Sequence, residues 1–238
     1  MTGDSNNALE VRDIHTFIGQ FHILEGVSVT VPRDSITVLL GRNGAGKTTT
    51  LRSIMGFAPP KTGEILFEGI PIRDKRTYTI ASMGIGYVPE NRAIFRNLSV
   101  AENLKLAERQ KGDLARKAEM IFGLFPDLKR LYKLGGGQLS GGQQQMLTIA
   151  RALVPDNRLL LIDEPSEGLA PVLIEQMMEA IRQLRDHTTV LLVEQNFRMA
   201  SQLADHYVII DEGQSVHSGL MADLIRDHAL IRRYLGAA

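Results

Sequence analysis

The sequence predicts an α/β fold, with one domain over residues 1–238 that holds a mostly parallel core sheet, an antiparallel β layer and an inserted α-helical subdomain. Three observations predict it. The runs ITVLL, LLLID and TVLLVE are apolar at nearly every position, as strands are when a sheet is covered on both faces. The early strand segments alternate more, which fits an antiparallel layer. The stretch from about residue 91 to 153 has helical patterns and few strand signals, so it is predicted to be the helical insertion.

The individual elements follow from these patterns in chain order. Strands are predicted where short apolar or alternating runs are bounded by turn residues: 9–14, 27–31, 36–40, 64–68, 86–88, 159–163, 189–194 and 207–211. Helices are predicted from amphipathic segments: 47–55, 100–110, 114–125, 142–153, 171–186, 197–204 and 222–234. Pro171 occupies a first-turn position, where a proline is tolerated. Strands that alternate with helices imply a parallel core sheet.

Composition excludes several functional classes. The formal net charge is zero and no basic stripe is present, which disfavours nucleic-acid binding. The chain has no cysteine, so it has no disulfide or thiolate metal site, and its six histidines lack metal-ligand spacing. The N-terminus lacks the pattern of a signal peptide, and no apolar run approaches the roughly 18 residues of a membrane helix. We therefore expect a cytoplasmic location, which still permits a membrane partner.

A glycine-rich segment joins the third predicted strand to the first predicted helix. It reads GRNGAGKT and matches GxxxxGK[ST] at every fixed position, in the strand–loop–helix context of a P-loop NTPase. Glycines let backbone N–H groups turn around phosphate oxygens, and the helix adds its positive dipole end. Lys47 is expected to reach the β- and γ-phosphates, and the Thr48 hydroxyl to ligate Mg²⁺. The predicted nucleotide-binding residues of this segment are Gly41, Arg42, Asn43, Gly44, Ala45, Gly46, Lys47, Thr48 and Thr49.

Two carboxylates follow the buried strand LLLID. Ligands of open α/β sheets bind outside the carboxyl ends of the strands, which is where Asp163 and Glu164 are expected. Asp163 would hold Mg²⁺, in part through water. Because successive strand side chains point to opposite faces, Glu164 would point toward a water in line with the γ-phosphate and act as a general base. The alternative is that the two carboxylates only cap the end of the strand. The phosphate loop earlier in the sequence argues against this alternative.

The segment LSGGQ precedes another helical run. Alone it is a serine cap followed by two flexible glycines. Between a GxxxxGKT and an LLLIDE, however, it completes the combination that marks ATP-binding cassette (ABC) ATPases, and the chain resembles that family over essentially its whole length. The resemblance implies ATP and Mg²⁺ as ligands, ATP hydrolysis, and a head-to-tail dimer. The residues that would contact the ATP of the partner subunit are Leu139, Ser140, Gly141, Gly142 and Gln143.

Three positions depart from the general pattern of that family. Gln195 stands where most members have a histidine that contacts the γ-phosphate, Glu90 where a glutamine is expected, and Ala170 where an aspartate is expected. One interpretation is a degenerate site with poor hydrolysis, and the other is variation within a subfamily. The segments VPENR, EGLAP and VEQN together resemble LivF-type ATPases of importers for branched-chain amino acids, urea and short-chain amides, which favours the second.

The substituted residues keep usable chemistry. The Gln195 amide can donate to a γ-phosphate oxygen, although more weakly than a charged imidazolium. Glu90 is a hard oxygen ligand for Mg²⁺ and joins Thr48 and Asp163 in the predicted metal set. Glu164 and Gln195 are the predicted catalytic residues. We therefore expect slow but real ATP hydrolysis.

An aromatic side chain near the first strand should stack on the adenine. In the family this aromatic usually lies just before the position of Gly19, where this chain has Ile18. Phe17 and Phe21 flank that position, and either of them could instead be an ordinary packing residue. We assign the stacking to Phe17.

The resemblance also implies partners. They are a second, non-identical ABC ATPase, two transmembrane permease subunits and, indirectly, a periplasmic or lipid-anchored binding protein, with the chain peripheral on the cytoplasmic face of the inner membrane. Residues 91–98 mix apolar side chains with arginines, as interfaces do, and would help to receive a permease helix; a solvated loop is the alternative.

Three other functions stay open at this stage. A lipopolysaccharide-type export ATPase is similarly compact, but by resemblance that group keeps the histidine and the glutamine that this chain replaces. A soluble ABC ATPase of translation or DNA repair usually has two cassettes or long insertions. A nucleotide-binding subunit with little catalysis rests only on the three departures.

Overall fold

The computed structural model describes residues 6–236, which form two β-sheets and the helices that cover them. The strands are β1 Asn7–Ile18, β2 Phe21–Pro32, β3 Ile36–Leu40, β4 Thr62–Phe67, β5 Ile70–Pro71, β6 Ile85–Val88, β7 Leu159–Asp163, β8 Thr189–Val193, β9 His206–Asp211 and β10 Gln214–Leu220. The α-helices are α1 Lys47–Ile54, α2 Thr77–Ser82, α3 Val100–Lys105, α4 Asp113–Leu124, α5 Pro126–Arg130, α6 Gly141–Leu153, α7 Pro171–Leu184, α8 Phe197–Leu203, α9 Met221–Leu224 and α10 His228–Leu235.

The larger sheet has six strands in the order β10-β9-β3-β8-β7-β6. Strands β9, β3, β8, β7 and β6 run parallel, and β10 adds to the edge as an antiparallel strand. The smaller sheet is antiparallel in the order β2-β1-β4-β5. The predicted fold class, with a mostly parallel core sheet and a separate antiparallel layer, is confirmed.

The parallel sheet is buried on both faces, which explains its uniformly apolar strands. On one face, Leu39 and Leu191 pack in a cluster with Ile54 of α1 and residues of the antiparallel layer. On the other face, Val38 and Leu192 pack in a second cluster with residues of α6 and α7. Because neighbouring side chains enter different cores, every position of β3, β7 and β8 is buried.

The antiparallel layer extends well beyond its prediction. Strands β1 and β2 are 12 residues long each, whereas residues 9–14 and 27–31 were the predicted segments. Register shifts interrupt the pairing of β1 with β2, and Asp13 has a φ of 48°. Such bulges break the alternation of apolar and polar residues, so the pattern ends before the strand does.

Four further elements were not predicted, namely β5, α2, α5 and β10. Strand β10 is almost wholly exposed at the sheet edge and therefore carries no apolar signal. The helix predicted over 100–110 ends at Lys105, and the helix predicted over 222–234 is two helices. Asp227 separates the two because its side chain accepts a hydrogen bond from the backbone N–H of Leu230 and caps α10.

Residues 91–153 contain α3 to α6 and, among the described residues, no strand beyond a single bridge between Ser99 and Gly135. Asn103 of α3 is fully buried and orders the segment before it. Its side chain accepts a hydrogen bond from the backbone N–H of Phe95 and donates to the carbonyls of Phe95 and Leu98. Between residues 6 and 236, none of the helices has the length and apolar character needed to cross a membrane.

Ala170 precedes α7 and leaves its N-terminus without a side-chain cap. Its φ of −68° and ψ of 149° are those of an N-cap residue. We expect Ala170→Asp to raise the free energy of unfolding by about 1 kcal/mol, because the carboxylate can accept from a first-turn N–H group and faces the positive end of the helix dipole. Urea denaturation of the full chain measures the change. Ala170→Leu, similar in size but without an acceptor, should give no gain, and an equal gain in both variants would contradict the capping argument.

Candidate active site

Four neighbouring strands of the parallel sheet end at the same edge. The segments that follow β6, β3, β7 and β8 are residues 89–90, 41–46, 164–166 and 194–196. Parallel strands place these segments side by side at the carboxyl edge, where open α/β sheets bind their ligands. The sheet order therefore gathers Glu90, the glycine-rich loop, Glu164 and Gln195 into one region.

The loop between β3 and α1 needs glycine at specific positions. Gly41 has a φ of 149°, and a Cβ there would lie 2.1 Å from the carbonyl oxygen of Ile210. Gly46 has a φ of 110°, and a Cβ there would lie 2.7 Å from the Leu24 side chain. Gly44 has a φ of 80° but open space around it. The loop is thus pressed between β2 and β9, with Arg42, Asn43 and Gly44 exposed and Ala45 buried.

Helix α1 begins beside this loop with no side-chain cap, because its N-cap is Gly46. Its first N–H groups are therefore free to bind an anion. Lys47 is only 4% exposed, and its Nζ donates to the carbonyls of Gly41 at 3.0 Å and Arg42 at 3.2 Å. The same Nζ lies 3.3 Å from Oε1 of Glu164. A buried lysine that faces both the loop and an acidic residue is placed to exchange these contacts for phosphate oxygens.

Thr48, Thr49 and Asp163 extend the site along β7. Asp163 is fully buried, and its carboxylate accepts from the Thr48 hydroxyl at 3.0 Å and from the Tyr87 hydroxyl at 3.3 Å. Burial raises the pKa of the Asp163 carboxyl, and the two hydrogen bonds oppose that shift. Burial and the nearby Asp163 raise the pKa of Tyr87 as well, so this phenol stays neutral and donates. Thr49 is the next residue of α1 and half-buried.

Glu90 is exposed and borders two cavities. One, of about 340 Å³, is also lined by Thr48, Asp163 and Tyr87, so the three predicted metal ligands share one cavity. The other, of about 460 Å³, is lined by residues 90–94 together with Glu167 and neighbouring side chains. Partial burial and the adjacent Glu167 carboxyl raise the pKa of Glu90.

The two predicted catalytic residues lie on a third cavity, of about 360 Å³. Glu164 begins the loop after β7 with a φ of 42°, a left-handed conformation that is rare for a residue with a side chain. Its backbone N–H donates to the carbonyl of Val193 at 3.0 Å, which ties this loop to the end of β8. Gln195 is exposed on the same cavity. The structure therefore brings Glu164 and Gln195 together, as the sequence predicts.

Glu194 was missed as a site residue and taken only as the end of a strand. It lines the same cavity and is 1% exposed. Its carboxylate accepts from the hydroxyl and the backbone N–H of Ser166, at 3.1 and 3.3 Å. Burial raises the pKa of this carboxyl, and its hydrogen bonds oppose the shift. A signal was present in the sequence, namely an acidic residue that directly follows a fully apolar strand.

The LSGGQ segment forms the N-terminus of α6. Ser140 is the N-cap: its hydroxyl accepts from the Gln143 N–H at 3.3 Å, and Oε1 of Gln143 accepts from the Ser140 N–H at 3.0 Å. Leu139 is buried in the core. A Cβ on Gly142 would lie 2.5 Å from the Leu173 side chain, so Leu173 would have to shift to admit one. Across the described residues, no hydrogen bond or ion pair joins segment 139–143 to segment 41–48 of the same chain.

Arg92 connects this segment to the loop after β7, which the sequence did not reveal. Its Nη2 donates to the carbonyl of Glu167 at 3.2 Å. A Cβ on Gly141 would lie 2.6 Å from Nη1 of Arg92, so the guanidinium passes directly over that glycine. A side chain at position 141 would require the Arg92 guanidinium to move away.

Phe17 does not offer a free ring face. Its ring is stacked on His22 with centroids 4.1 Å apart, and Nζ of Lys61 lies 4.0 Å from the same centroid. These two groups already cover the ring. Thr16, the preceding residue, hydrogen-bonds Ser53 of α1 at 2.9 Å, so Phe17 points away from α1. Phe21, by contrast, is 64% exposed at the hairpin tip, and this placement disfavours the assignment of Phe17.

The comparisons with known proteins agree on one family. The sequence model described as ABC transporter matches residues 24–167. The chain is 40% identical over 231 residues to the high-affinity branched-chain amino acid transport ATP-binding protein BraG of Pseudomonas aeruginosa, over 96% of this chain and 99% of that one. It is 33% identical over 220 residues to the lipopolysaccharide export system ATP-binding protein LptB of Escherichia coli strain K12, over 90% of this chain and 91% of that one. A crystal structure of the ADP conformation of an ATP-binding cassette of an ABC transporter matches with a TM-score of 0.82 and 26% identity, over 97% of this chain and 99% of that one.

Proposed function

Since the chain belongs to the ABC transporter family and is one of its ATP-binding ATPases, we propose that it powers an importer for branched-chain amino acids or related small amides or urea. The observation that carries the substrate class is the 40% identity to BraG over nearly the full length of both chains. Glu90, Ala170 and Gln195 support the same subfamily, because all three departures agree with the LivF type.

The oxygen donors at the end of β7 fit a magnesium ion. Thr48 and Asp163 are in direct contact, and Glu90 lies on the same cavity. Hydroxyl and carboxylate oxygens are the ligands that Mg²⁺ takes, with water in the remaining positions. We therefore assign Thr48, Glu90 and Asp163 as the residues that would hold it. When bound, the ion would offset the negative charge of the β- and γ-phosphates.

The protein groups then divide the work of hydrolysis. The phosphate loop, residues 41–46, and the free N-terminus of α1 bind the phosphates, while Thr49 completes the first turn. Lys47 exchanges its contact with Glu164 for phosphate oxygens. The carboxylate of Glu164 thereby becomes available to accept a proton from the attacking water. Gln195, across the same cavity, donates its amide to a γ-phosphate oxygen.

The segment 139–143 acts on the ATP of a second subunit. Among the described residues, no hydrogen bond or ion pair joins this segment to residues 41–48 of its own chain, which supports a head-to-tail dimer in which it binds the phosphates of the partner's ATP. Gly141, Gly142 and Gln143 would present backbone N–H groups at the start of α6, and Ser140 its hydroxyl. We propose that the second subunit is a non-identical ABC ATPase.

The remaining partners lie in the membrane. We propose that the cavity of about 460 Å³ bordered by residues 90–94 and Arg96 receives part of one of two transmembrane permease subunits. The chain would then lie on the cytoplasmic face of the inner membrane. Exposed Phe95 at its side and the rigid support from Asn103 suit such a contact. A periplasmic or lipid-anchored binding protein would deliver the substrate.

A pull-down from native membranes tests this function. The chain is tagged at its C-terminus, the host membranes are solubilised in mild detergent, and the co-purifying chains are identified. We expect two membrane proteins and a second, different ATPase. One type of membrane partner with a homodimer of this chain would favour an exporter, in line with the weaker similarity to LptB. Recovery of the chain from the soluble fraction alone would contradict the importer and favour a soluble ABC ATPase.

The adenine contact gives a separate prediction. We expect Phe21→Ala to weaken ATP binding by about tenfold, because base–aromatic stacking contributes on the order of 1–3 kcal/mol. Phe17→Ala removes a ring whose faces are already covered and should change the ATP dissociation constant by less than about twofold. Calorimetric titration of the full chain with ATP measures both. The opposite ranking would restore Phe17 as the stacking residue.

A further inference from the structure

Glu194 is a buried acid whose presence needs a physical reason. A carboxylate removed from water is costly unless hydrogen bonds or a cation compensate it. Its polar partners are the N–H and hydroxyl of Ser166 and, at 3.4 Å, the N–H of Asn196. No Lys, Arg or His of residues 6–236 forms an ion pair with it. An apolar residue could fill the space at the end of β8 without the free-energy cost of a buried carboxyl. We therefore look for the role of this carboxyl in the groups that it contacts.

Those groups belong to the loop that carries Glu164. Ser166 is two residues after Glu164, and both of its hydrogen-bond donors, the backbone N–H and the hydroxyl, point to Glu194. Glu164 itself has a left-handed backbone, which costs about 1–2 kcal/mol for a residue with a side chain and persists only when its surroundings hold it. The Val193 carbonyl accepts from the N–H of Glu164 and holds the start of this loop, and the Glu194 carboxyl holds it at Ser166.

Gln195 is the residue directly after Glu194, and Glu194 is in turn fixed to the central strand. The backbone N–H of Glu194 donates to the carbonyl of Leu39 at the end of β3 at 3.2 Å. Loss of the Glu194 side chain would therefore release the loop of Glu164, while the segment of Gln195 stays bonded to β3, so the separation between the two would change.

We propose that Glu194 is a positioning residue, which holds Ser166 so that Glu164 and Gln195 face each other across one cavity. This inference rests on the proposed roles of Glu164 and Gln195 in ATP hydrolysis. Glu194 itself stays behind the loop and need not contact the nucleotide.

The first test compares Glu194→Ala with Glu194→Gln in the complex recovered from membranes. We expect Glu194→Ala to lower kcat by about 10²-fold, because a displacement of the order of 1 Å costs about that much, with the KM for MgATP within about threefold. Glu194→Gln should keep kcat within about threefold, since its amide still accepts from the Ser166 N–H and can donate to the hydroxyl. Equal loss in both variants, or a change confined to thermal stability, would overturn the proposal.

The second test avoids the substitution of a fully buried residue. Ser166→Ala removes one of the same hydrogen bonds from a half-buried loop, so it reports on the contact even where Glu194→Ala does not fold. We expect Ser166→Ala to lower kcat, and the double variant to be no slower than Glu194→Ala, because both remove one interaction. Hydrogen exchange on the full chain should show faster exchange at the Ser166 amide in Glu194→Ala, with that of β3 unchanged. Additive losses, or unchanged exchange, would contradict the inference.

The outcome for Glu164 separates the two proposals. If Glu164→Gln abolishes hydrolysis while Glu194→Ala leaves kcat intact, the positioning role is wrong and the proposed function stands. If Glu164→Gln leaves hydrolysis intact, the proposed role of Glu164 fails, and with it the purpose assigned to Glu194.

Discussion

Glu164→Gln is expected to lower the rate of ATP hydrolysis by about 10²–10⁴-fold, the range for loss of a general base. ATP binding should persist and become somewhat tighter. In the wild-type chain Glu164 lies 3.3 Å from Nζ of the buried Lys47, so a phosphate has to replace that carboxylate. A neutral amide at the same position competes less for the lysine. Phosphate release by the intact complex and calorimetric titration with ATP measure the two effects.

The matched control is Glu175→Gln, which removes the same charge from an exposed position on α7. It should change neither quantity appreciably. Hydrolysis by the wild-type complex no faster than that of Glu164→Gln would contradict our expectation of slow but real turnover. Weaker ATP binding in Glu164→Gln would show that the carboxylate does not compete for Lys47.

Gly41→Ala is expected to lower the free energy of unfolding far more than Gly44→Ala. Both glycines have a positive φ, so an added Cβ costs about 1–2 kcal/mol in strain at either position. Only at Gly41 does the Cβ also meet backbone, 2.1 Å from the carbonyl oxygen of Ile210, which adds about 1–3 kcal/mol or more. The surroundings of Gly44 are open.

Urea denaturation of the two full-length variants compares their free energies of unfolding. Backbone strain is common to both variants, so the difference between them reports the contact of the Gly41 Cβ with Ile210. Each kcal/mol should lower Tm by about 2–4 °C in a chain of this size. Gly41→Ala should also weaken ATP binding more, because relief of the overlap has to move the loop away from β9. Equal losses of stability in the two variants would mean that the loop relaxes freely and is not held by Ile210.

The sequence predicts the parallel sheet and its site motifs well because both leave local signals. Burial on two faces makes β3, β7 and β8 continuous apolar runs, and the phosphate loop is contiguous in sequence. Strand β10 left no such signal, because an exposed edge strand buries few side chains. Its position depends on its pairing with β9, and the residues of β10 show no pattern that predicts this pairing.

The site was less predictable wherever a contact joins distant segments. Glu194 meets Ser166 across 28 positions of sequence, so its role depends on the sheet order that places β8 beside β7. Arg92 reaches the LSGGQ segment for the same kind of reason. Phe17 was assigned from its closeness to Gly19, but its ring stacks on His22, which a register shift in the pairing of β1 with β2 places opposite Phe17.

The two helix ends assigned to phosphate differ in how they are prepared for it. The N-cap of α1 is a glycine, so no side chain caps the backbone N–H groups of its first turn. At α6, by contrast, the backbone N–H of Gln143 already donates to the Ser140 hydroxyl. An anion that reaches α1 meets free backbone N–H groups and has only to displace Glu164 from Lys47, whereas full engagement at α6 has to break the hydrogen bond between the Gln143 N–H and Ser140. For the proposed head-to-tail dimer, this difference predicts an order of events in which each subunit binds its own nucleotide before it meets its partner. In that dimer, we expect Ser140 and Gln143 to affect the lifetime of the closed pair of subunits rather than the first binding of nucleotide.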